Sequence, residues 1–370
     1  MLAIALTLAA SGAVEARQLA TPPPRAALPA GSTAEEVYRA ACATCHAPDG
    51  RGSPRTVVGF DAPLPDFSDC RFASGEPDPD WFAVVHEGGP VRGLDRHMPA
   101  FGEALSSAEI SLAISHVRTF CTESAWPQGD LNLPRAFYTE KAFPENEAVW
   151  SMAMTGRGER SIEAELIYEQ RLGARNQFEV VAPIAVKEDV SGEWHRGLGD
   201  VALAFKRTLY ANLPRGQIGA AGVEVVLPTG SEPNGLGNGY TVFEPFGMWG
   251  QLLPRSSFVQ VHAGLELPTD SSRATREAYV RSAIGTTLAG DRGFGRAWSP
   301  QLEVLWAKPE QGGSEWDVVP QLQLTLSKLQ HVMLAAGVRV PITQRNERRP
   351  QAVVYLLWDW FDGGLFEMWR

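Results

Sequence analysis

Two patterns of hydrophobic and polar positions divide this chain of 370 residues. From about Ala148 to the C-terminus, apolar and polar positions alternate with a period of two, which is typical of strands with one apolar face. In the segment 161–170 the apolar positions are Ile162, Ala164, Leu166 and Tyr168, and the positions between them are largely acidic. Similar segments recur, and they predict about twelve strands over residues 148–370.

The earlier part of the chain has helical rather than alternating spacing. Residues 34–124 show helical patterning at both ends, separated by a loop rich in proline, glycine and aspartate, and this length suits one small domain. Residues 17–33 are rich in proline and alanine and predict an extended linker. Residues 125–147 are interpreted as a second linker, between the helical domain and the strands.

The first sixteen residues form an apolar run that ends in small residues. This pattern predicts a secretory signal peptide cleaved before Arg17. An apolar N-terminal helix is the alternative, because the usual positive charge near Met1 is absent. After residue 16 no stretch reaches the roughly 18 to 20 apolar residues of a membrane-spanning helix, so any membrane span must consist of strands.

The net charge of the chain and the distribution of its basic residues exclude one class of binding partner. The formal net charge is −10, and the basic residues are scattered along the chain. A nucleic-acid-binding protein needs a clustered basic patch or stripe. We therefore exclude nucleic acid as a partner.

The strongest chemical signal is the run Cys42-Ala43-Thr44-Cys45-His46. A C-x-x-C-H run is the arrangement for covalent haem attachment, because two thiols one helical turn apart can each bond a haem vinyl group while the histidine binds iron. A thioredoxin-like redox pair or half of a zinc site would also use C-x-x-C. Cys70 and Cys121 stand alone in the sequence, which disfavours zinc, and no βαβ setting supports a redox pair.

The surroundings of this run resemble the class I cytochromes c. The segment AEEVYRAACATCHAPDGRG, which begins at Ala34, is similar to the family's first helix and haem-binding turn. The segment RHMPAFGEALSSAEISLAISHVRTF, which begins at Arg96, is similar to its methionine loop and last helix. The resemblance implies one covalent haem c, with thioethers at Cys42 and Cys45 and axial ligands His46 and Met98. His97 and His86 are the competing distal ligands, because histidine is a common iron ligand.

The remaining two cysteines, Cys70 and Cys121, are expected to form a structural disulfide. A signal peptide would deliver the chain to an oxidising compartment where such a bond persists. A redox-active thiol pair is the alternative.

The strand half favours an outer-membrane barrel over a soluble β-sandwich. Many predicted strands have 9 to 12 residues, whereas about 9 to 11 span the hydrocarbon core and about five or six are usual in soluble proteins. This half also loosely resembles barrels of the phenol-degradation transporter type, through GDVALAFKRTLY, EVVLPTG and YLLWDWFDGG. If the barrel exists, its interior is expected to be acidic and to favour cations, with an inward set of Glu163, Glu165, Asp200, His262, Glu266, Glu303 and Asp359. A packed polar interior without conduction is the alternative.

The predicted fold is thus an all-α class I cytochrome c domain followed by an all-β antiparallel barrel of about 12 strands, an architecture that resembles fused cytochrome-porins. It predicts an electron-transfer protein anchored in the outer membrane, with its cytochrome domain in the periplasm, that transfers electrons in the periplasm or across the outer membrane. The expected partners are a periplasmic or extracellular redox protein and outer-membrane lipid. A transport porin with a redox-sensing or gating cytochrome domain is the alternative. A substrate-converting enzyme is disfavoured, since the strand half shows no nucleophile elbow or dinucleotide loop.

Overall fold

The computed structural model describes residues 28–29, 31–156, 160–189, 191–288 and 297–360. The predicted signal peptide, residues 1–16, and most of the predicted linker 17–33 lie outside these residues. Six α-helices come first: α1 Ala34–Ala41, α2 Ala43–His46, α3 Arg55–Val58, α4 Cys70–Ala73, α5 Asp78–Glu87 and α6 Ser107–Arg118.

The two main helices of this helical domain, residues 34–124, begin for the same local reason. Thr33 precedes α1 and Ser106 precedes α6, and each is followed three residues later by a glutamate that completes a capping box. The helices pack against each other, with Val37 and Ile110 fully buried between them. The expected disulfide between Cys70 and Cys121 is present, and it ties α4 to the residues that follow α6.

The strand half forms one closed antiparallel sheet. Its segments are β1 Glu147–Thr155, β2 Ser161–Leu172, β3 Asn176–Glu188, β4 Trp194–Leu198, β5 Val201–Asn212, β6 Gln217–Leu227, β7 Val242–Leu253, β8 Ser257–Pro268, β9 Glu277–Thr286, β10 Trp298–Pro309, β11 Glu315–Thr325, β12 Val332–Pro341 and β13 Gln351–Asp359. Neighbouring strands pair in chain order, and β13 closes on β1. β4 and β5 pair with successive parts of one edge of β3, so the thirteen segments make the predicted barrel of twelve strands.

The barrel has an apolar outside and a polar inside. Its outward side chains include Ile162, Leu166, Ile184, Leu209, Leu265, Ile284 and Leu302, each at least 42% exposed. Its inward side chains include Glu147, Glu169, Gln177, Lys206, Gln260, Glu303 and Tyr355, all buried. This is the reverse of a soluble β-sandwich, and it matches a barrel surrounded by lipid. Among the described residues no helix is long and apolar enough to cross a membrane.

The barrel interior is occupied by the chain itself. Residues 129–146, here called the lumen segment, run from the helical domain through the interior before β1 begins, and most of them are buried. Leu131 and Phe143 pack with Ile218 and Met248 of the barrel wall. The segment predicted as a second linker, 125–147, therefore lies mostly inside the barrel and is packed against it.

The two mouths of the barrel differ. At one mouth the β2–β3, β5–β6 and β7–β8 connections have three or four residues and the β9–β10 connection has eleven, and the chain enters β1 and leaves β13 there. At the other mouth the β6–β7 connection has fourteen residues and the β12–β13 connection nine. We call these the short-turn mouth and the long-loop mouth. The helical domain contacts the short-turn mouth, where Glu76 bonds His331.

Candidate haem-binding site

The C-x-x-C-H run forms a single helical turn. The backbone N–H of His46 donates to the carbonyl of Cys42 at 2.9 Å, and the N–H of Ser53 donates to the carbonyl of Cys45 at 2.7 Å. Both thiols are unpaired and partly buried. Burial raises the pKa of the Cys42 thiol to about 11, so the thiol stays protonated at neutral pH.

Neighbouring residues hold this turn in place. The Tyr38 hydroxyl, on α1, donates to the carbonyl of Ala47 at 2.7 Å. The chain then reverses at Gly50, whose φ is +76°. A Cβ at Gly50 would lie 2.5 Å from the Phe120 ring, so this position needs glycine for both its conformation and its close packing.

His46 is a buried, neutral imidazole. Its ring lies 5.0 Å from the ring of Phe67, and burial lowers its pKa to about 4. The Nδ1 atom is buried without a hydrogen-bond partner in the described part of the chain. Neutral imidazole is the form that binds a metal, so this side chain is available as an iron ligand.

Helix α5 connects His46 to the loop that carries Met98. Near its start, the Trp81 ring lies 5.5 Å from Phe67, the ring that contacts His46. At its end, the carbonyl of Val85 accepts the backbone N–H of Phe101 at 2.9 Å. Just after α5, the N–H of Gly89 donates to the carbonyl of Met98 at 2.9 Å.

The two competing histidines have other contacts. The His97 ring stacks on Phe60, with 4.3 Å between the ring centroids, and its Nδ1 lies 2.6 Å from Asp95. The His86 Nδ1 lies 2.8 Å from the Glu87 carboxylate. Both imidazoles are about two-fifths exposed. Both imidazoles therefore already contact a carboxylate.

The residues present fit haem c. Two free thiols share one helical turn with a buried imidazole whose Nδ1 has no hydrogen-bond partner among the described residues. The apolar side chains around them, which the ring would need on its faces, are supplied by a cluster that contains Cys42, Trp81, Phe82, Val85 and Phe101. The donor set of two thiols, imidazole and thioether is that of a c-type centre.

Charged residues join this site to the barrel. His331, in the β11–β12 turn, lies between Glu76 at 2.6 Å and Asp359 at 3.4 Å. Beside them the Asp80 carboxylate pairs with Arg92 at 2.9 Å. We call these five residues the junction. Sequence reasoning missed it, because its members lie up to about 280 residues apart and no short motif links them.

Arg118 binds the helical domain to the start of the lumen segment. Its guanidinium lies 3.9 Å over the Trp81 ring, donates to Asp78 at 2.7 Å, and approaches Asp130 at 3.9 Å. Close by, Arg171 of β2 lies between the rings of Trp126 and Phe143, at 4.6 and 5.3 Å. Each arginine contacts residues before position 129 and residues after it. The helical domain and the lumen segment are therefore packed against each other at this point.

Most residues of the predicted acidic lining already have hydrogen-bond or ion-pair partners. Glu303 accepts hydrogen bonds from the lumen segment, and Asp359 belongs to the junction. The others have these contacts: Glu163 pairs with Lys187, Glu165 with Ser151, His262 with Tyr279, and Asp200 accepts from the backbone of Gly230 and Asn238, while Glu266 is partly exposed inside the barrel. Most of the set therefore has structural partners, which inward alternation alone could not reveal.

A comparison with family models identifies the helical domain. Residues 29–117 match the model described as cytochrome c oxidase, cbb3-type, subunit III. The match includes the C-x-x-C-H turn and the Met98 loop. No curated protein matches the chain.

Solved structures with similar barrels include three channels. An outer membrane channel of the COG4313 type from Pseudomonas putida F1 has a TM-score of 0.44 and 13% identity, over 62% of this chain and 100% of that chain. The KdgM porin has a TM-score of 0.40 and 8% identity, over 58% and 99%. The NanC porin has a TM-score of 0.38 and 8% identity, over 58% and 98%.

Proposed function

Because its N-terminal part is a c-type cytochrome domain, we propose that this chain is a monohaem electron-transfer protein, held at the periplasmic mouth of an outer-membrane barrel. The observation that carries the proposal is the helical turn with two free thiols and a buried imidazole, docked on a barrel whose outside is apolar. Electrons are exchanged one at a time with a periplasmic redox protein.

Each candidate residue has one task at the haem. Cys42 and Cys45 would form the two thioethers, and His46 and Met98 would bind the iron as proximal and distal ligands. The bound haem supplies a one-electron Fe(III)/Fe(II) couple, and Met/His ligation raises its reduction potential. The apolar cluster around Trp81 and Phe101 keeps water away from the ring. With His46 and Met98 both bound to iron, the haem would have no open site for a substrate, so we favour electron transfer over catalysis.

The outer membrane is proposed from the barrel itself. Nearly all of its strands have 9 to 13 residues, which suits a tilted span of the hydrocarbon core. Exposed aromatic side chains lie near both rims, with Trp249 and Trp298 toward the short-turn mouth and Phe243 and Trp316 toward the long-loop mouth. Outer-membrane barrels carry such girdles at both interfaces.

The lengths of the connections at the two mouths indicate how the barrel is oriented in the outer membrane. Bacterial outer-membrane barrels have short periplasmic turns and longer extracellular loops. The short-turn mouth, and with it the helical domain, is therefore assigned to the periplasm. The apolar band of such barrels is about 25 Å tall. The lumen segment occupies the barrel interior along this direction, so electron exchange in the periplasm is favoured over exchange across the membrane.

The charge of the helical domain indicates which kind of redox partner it would bind. Residues 34–124 contain fourteen acidic side chains, seven arginines and no lysine. A domain of this charge attracts a partner with a basic face, and such attraction mainly raises the association rate and makes it depend on salt. The proposed partner is a periplasmic one-electron carrier with a basic docking face.

The test is covalent haem staining of the full chain after denaturing electrophoresis. The wild type is expected to stain, whereas Cys42→Ser and Cys45→Ser together abolish the stain. Cys70→Ser with Cys121→Ser is the matched control, because it removes the same number of cysteines outside the turn, those of the disulfide, and is expected to leave the stain. An unstained wild type, or stain that survives the Cys42 and Cys45 changes, would overturn the proposal.

A transport role is the second candidate. A vestibule of about 910 Å³ opens at the long-loop mouth, lined by both acidic and basic groups that include Glu188, Glu315, Arg339 and Arg348. Such a cavity could admit a small polar solute as far as the lumen segment. The conductance of the protein in planar lipid bilayers, with and without the contacts that hold the lumen segment, separates this role from electron transfer alone.

A further inference from the structure

The junction is a buried set of opposite charges shared by two domains. Three carboxylates, Glu76, Asp80 and Asp359, face Arg92 and His331. His331 is 5% exposed and Arg92 3%, and the most exposed side chain, Asp80, is 15% exposed. In such a poorly hydrated place a change of charge nearby is weakly screened, so the protonation of these groups responds to it.

Both partners of the Asp80–Arg92 pair belong to elements that are linked by contacts to the candidate iron ligands. Asp80 precedes Trp81, and the Trp81 ring lies two ring contacts, of 5.5 and 5.0 Å, from His46. Arg92 ends the 3-10 turn Gly89–Arg92, and Gly89 bonds the carbonyl of Met98. The junction is therefore linked, through Trp81 and Gly89, to the segments that carry both candidate iron ligands, and it also contacts the barrel.

We infer that the junction couples reduction of the haem to proton uptake at Asp80, and that His331 of the barrel tunes the pH at which this coupling occurs. The inference rests on the proposed haem. One electron from the donor protein reduces Fe(III) to Fe(II), and one proton from solvent converts the Asp80 carboxylate to the carboxylic acid. The electron and the proton together leave the net charge of the site unchanged.

The physical basis is the balance of charges around Asp80. Burial, and then the neighbouring Glu76 carboxylate, raise the pKa of Asp80 to about 7, against the opposing effects of Arg92 and His331. An electron added nearby raises this pKa further, which draws a proton from solvent. The ionisable groups around it are Glu76 before α5, Asp78 on α5, Arg92 on the 3-10 turn, Arg118 on α6, Asp130 on the lumen segment, and His331 and Asp359 on the barrel.

The test is the midpoint potential of the purified full chain in detergent, measured from pH 5.5 to 8.5. The wild-type potential is expected to fall as the pH rises near neutrality, with a slope bounded by about 59 mV per pH unit for one proton per electron. Asp80→Asn is expected to flatten this slope. Asp61→Asn is the matched control, because it removes an 80% exposed carboxylate of the same domain and leaves the slope intact.

Two further variants test the role of the barrel and remain informative if Asp80→Asn fails to fold. His331→Gln removes a cation that lowers the pKa of Asp80, so the sloping window moves to higher pH. Glu76→Gln removes an anion that raises this pKa, so the window moves to lower pH. Shifts in these opposite directions support the coupling, and an unshifted window in His331→Gln overturns the role of the barrel.

The outcome separates this inference from the proposed function. A wild-type potential that is flat from pH 5.5 to 8.5, in a protein with normal covalent haem, overturns the coupling and leaves the electron-transfer function standing. A protein without haem overturns the proposed function itself.

Discussion

The backbone N–H of Thr139 donates to Oε1 of Glu303 at 2.7 Å, although 164 residues separate them. The N–H groups of Phe137 and Tyr138 donate to the same carboxylate at 3.0 Å each. Gln321 completes its surroundings with a hydrogen bond of 2.7 Å. One side chain of β10 thus accepts from three consecutive residues of the lumen segment and fixes this segment in the interior.

Replacing this carboxylate should loosen the lumen segment. In Glu303→Ala the three buried N–H groups lose their acceptor, and each unsatisfied group costs about 1–3 kcal/mol. We expect the conductance in planar lipid bilayers to rise several-fold above that of the wild type. Glu310→Ala, at an exposed position just beyond β10, is the control and should conduct like the wild type. Equal conductance in all three proteins would contradict a sealing role for the segment.

A second prediction concerns Arg135, whose guanidinium pairs with Glu147 at 2.7 Å and Glu169 at 2.5 Å in the interior. Arg135→Leu leaves two buried carboxylates without this partner, and breaking a buried ion pair in this way costs about 3–5 kcal/mol. The temperature at which the barrel unfolds on a denaturing gel should therefore fall.

The matched control for this change is Arg160→Leu. Arg160 pairs with Glu188 at 2.6 Å, but its side chain is 54% exposed. Exposed ion pairs contribute only about 0–1 kcal/mol, so the unfolding temperature should barely change. A similar fall in the unfolding temperature of both variants would show that burial of the Arg135 ion pairs does not determine the stability of the barrel.

The distal ligand can be tested by potentiometry. Met98→His is expected to lower the midpoint potential, because bis-histidine ligation gives a lower potential than Met/His ligation. His97→Gln and His86→Gln should leave the potential close to that of the wild type, since both imidazoles have exposed carboxylate contacts instead. A large shift of the potential in either histidine variant, with none in Met98→His, would assign the distal position to that histidine.

The stability of the helical domain should depend on pH through Asp130. Burial, and then Asp78, raise its pKa from 3.8 to about 6. Between these values the folded chain binds a proton that the unfolded chain releases, so stability falls as the pH rises from about 4 to above 6. The contribution is roughly 1–3 kcal/mol, from about 1.4 kcal/mol per pKa unit.

Denaturant titrations at pH 5 and pH 8, followed by tryptophan fluorescence, measure this effect. Asp130→Asn should reduce the difference in unfolding free energy between the two pH values. Asp61→Asn, at an exposed carboxylate, should retain the full difference. If the difference is the same in Asp130→Asn as in the wild type, Asp130 is not the group responsible.

Local patterns in the sequence predicted the fold because both domains depend on them. Cys42, Cys45 and His46 are adjacent in the chain, and the alternation from Ser161 to Gln170 reappears as the two faces of β2. The match of residues 29–117 to a cytochrome family model and the closed twelve-stranded barrel confirm these predictions of fold.

The contents of the barrel could not be predicted in the same way. Period-two alternation says that Glu303 points inward, but it does not say that the backbone of Phe137 to Thr139 will meet it there. The junction has the same character, because Glu76 and His331 come together only after the barrel has closed. Contacts of such long sequence separation follow from tertiary packing and leave no local periodicity.

The most direct test of the account is electrophoresis of outer-membrane fractions with and without heating, followed by haem staining of the same gel. A cytochrome domain on a closed barrel predicts a haem-stained band in the outer membrane that changes mobility on heating, together with the protein stain. A haem-stained band in the soluble periplasmic fraction, with the same mobility before and after heating, would contradict it.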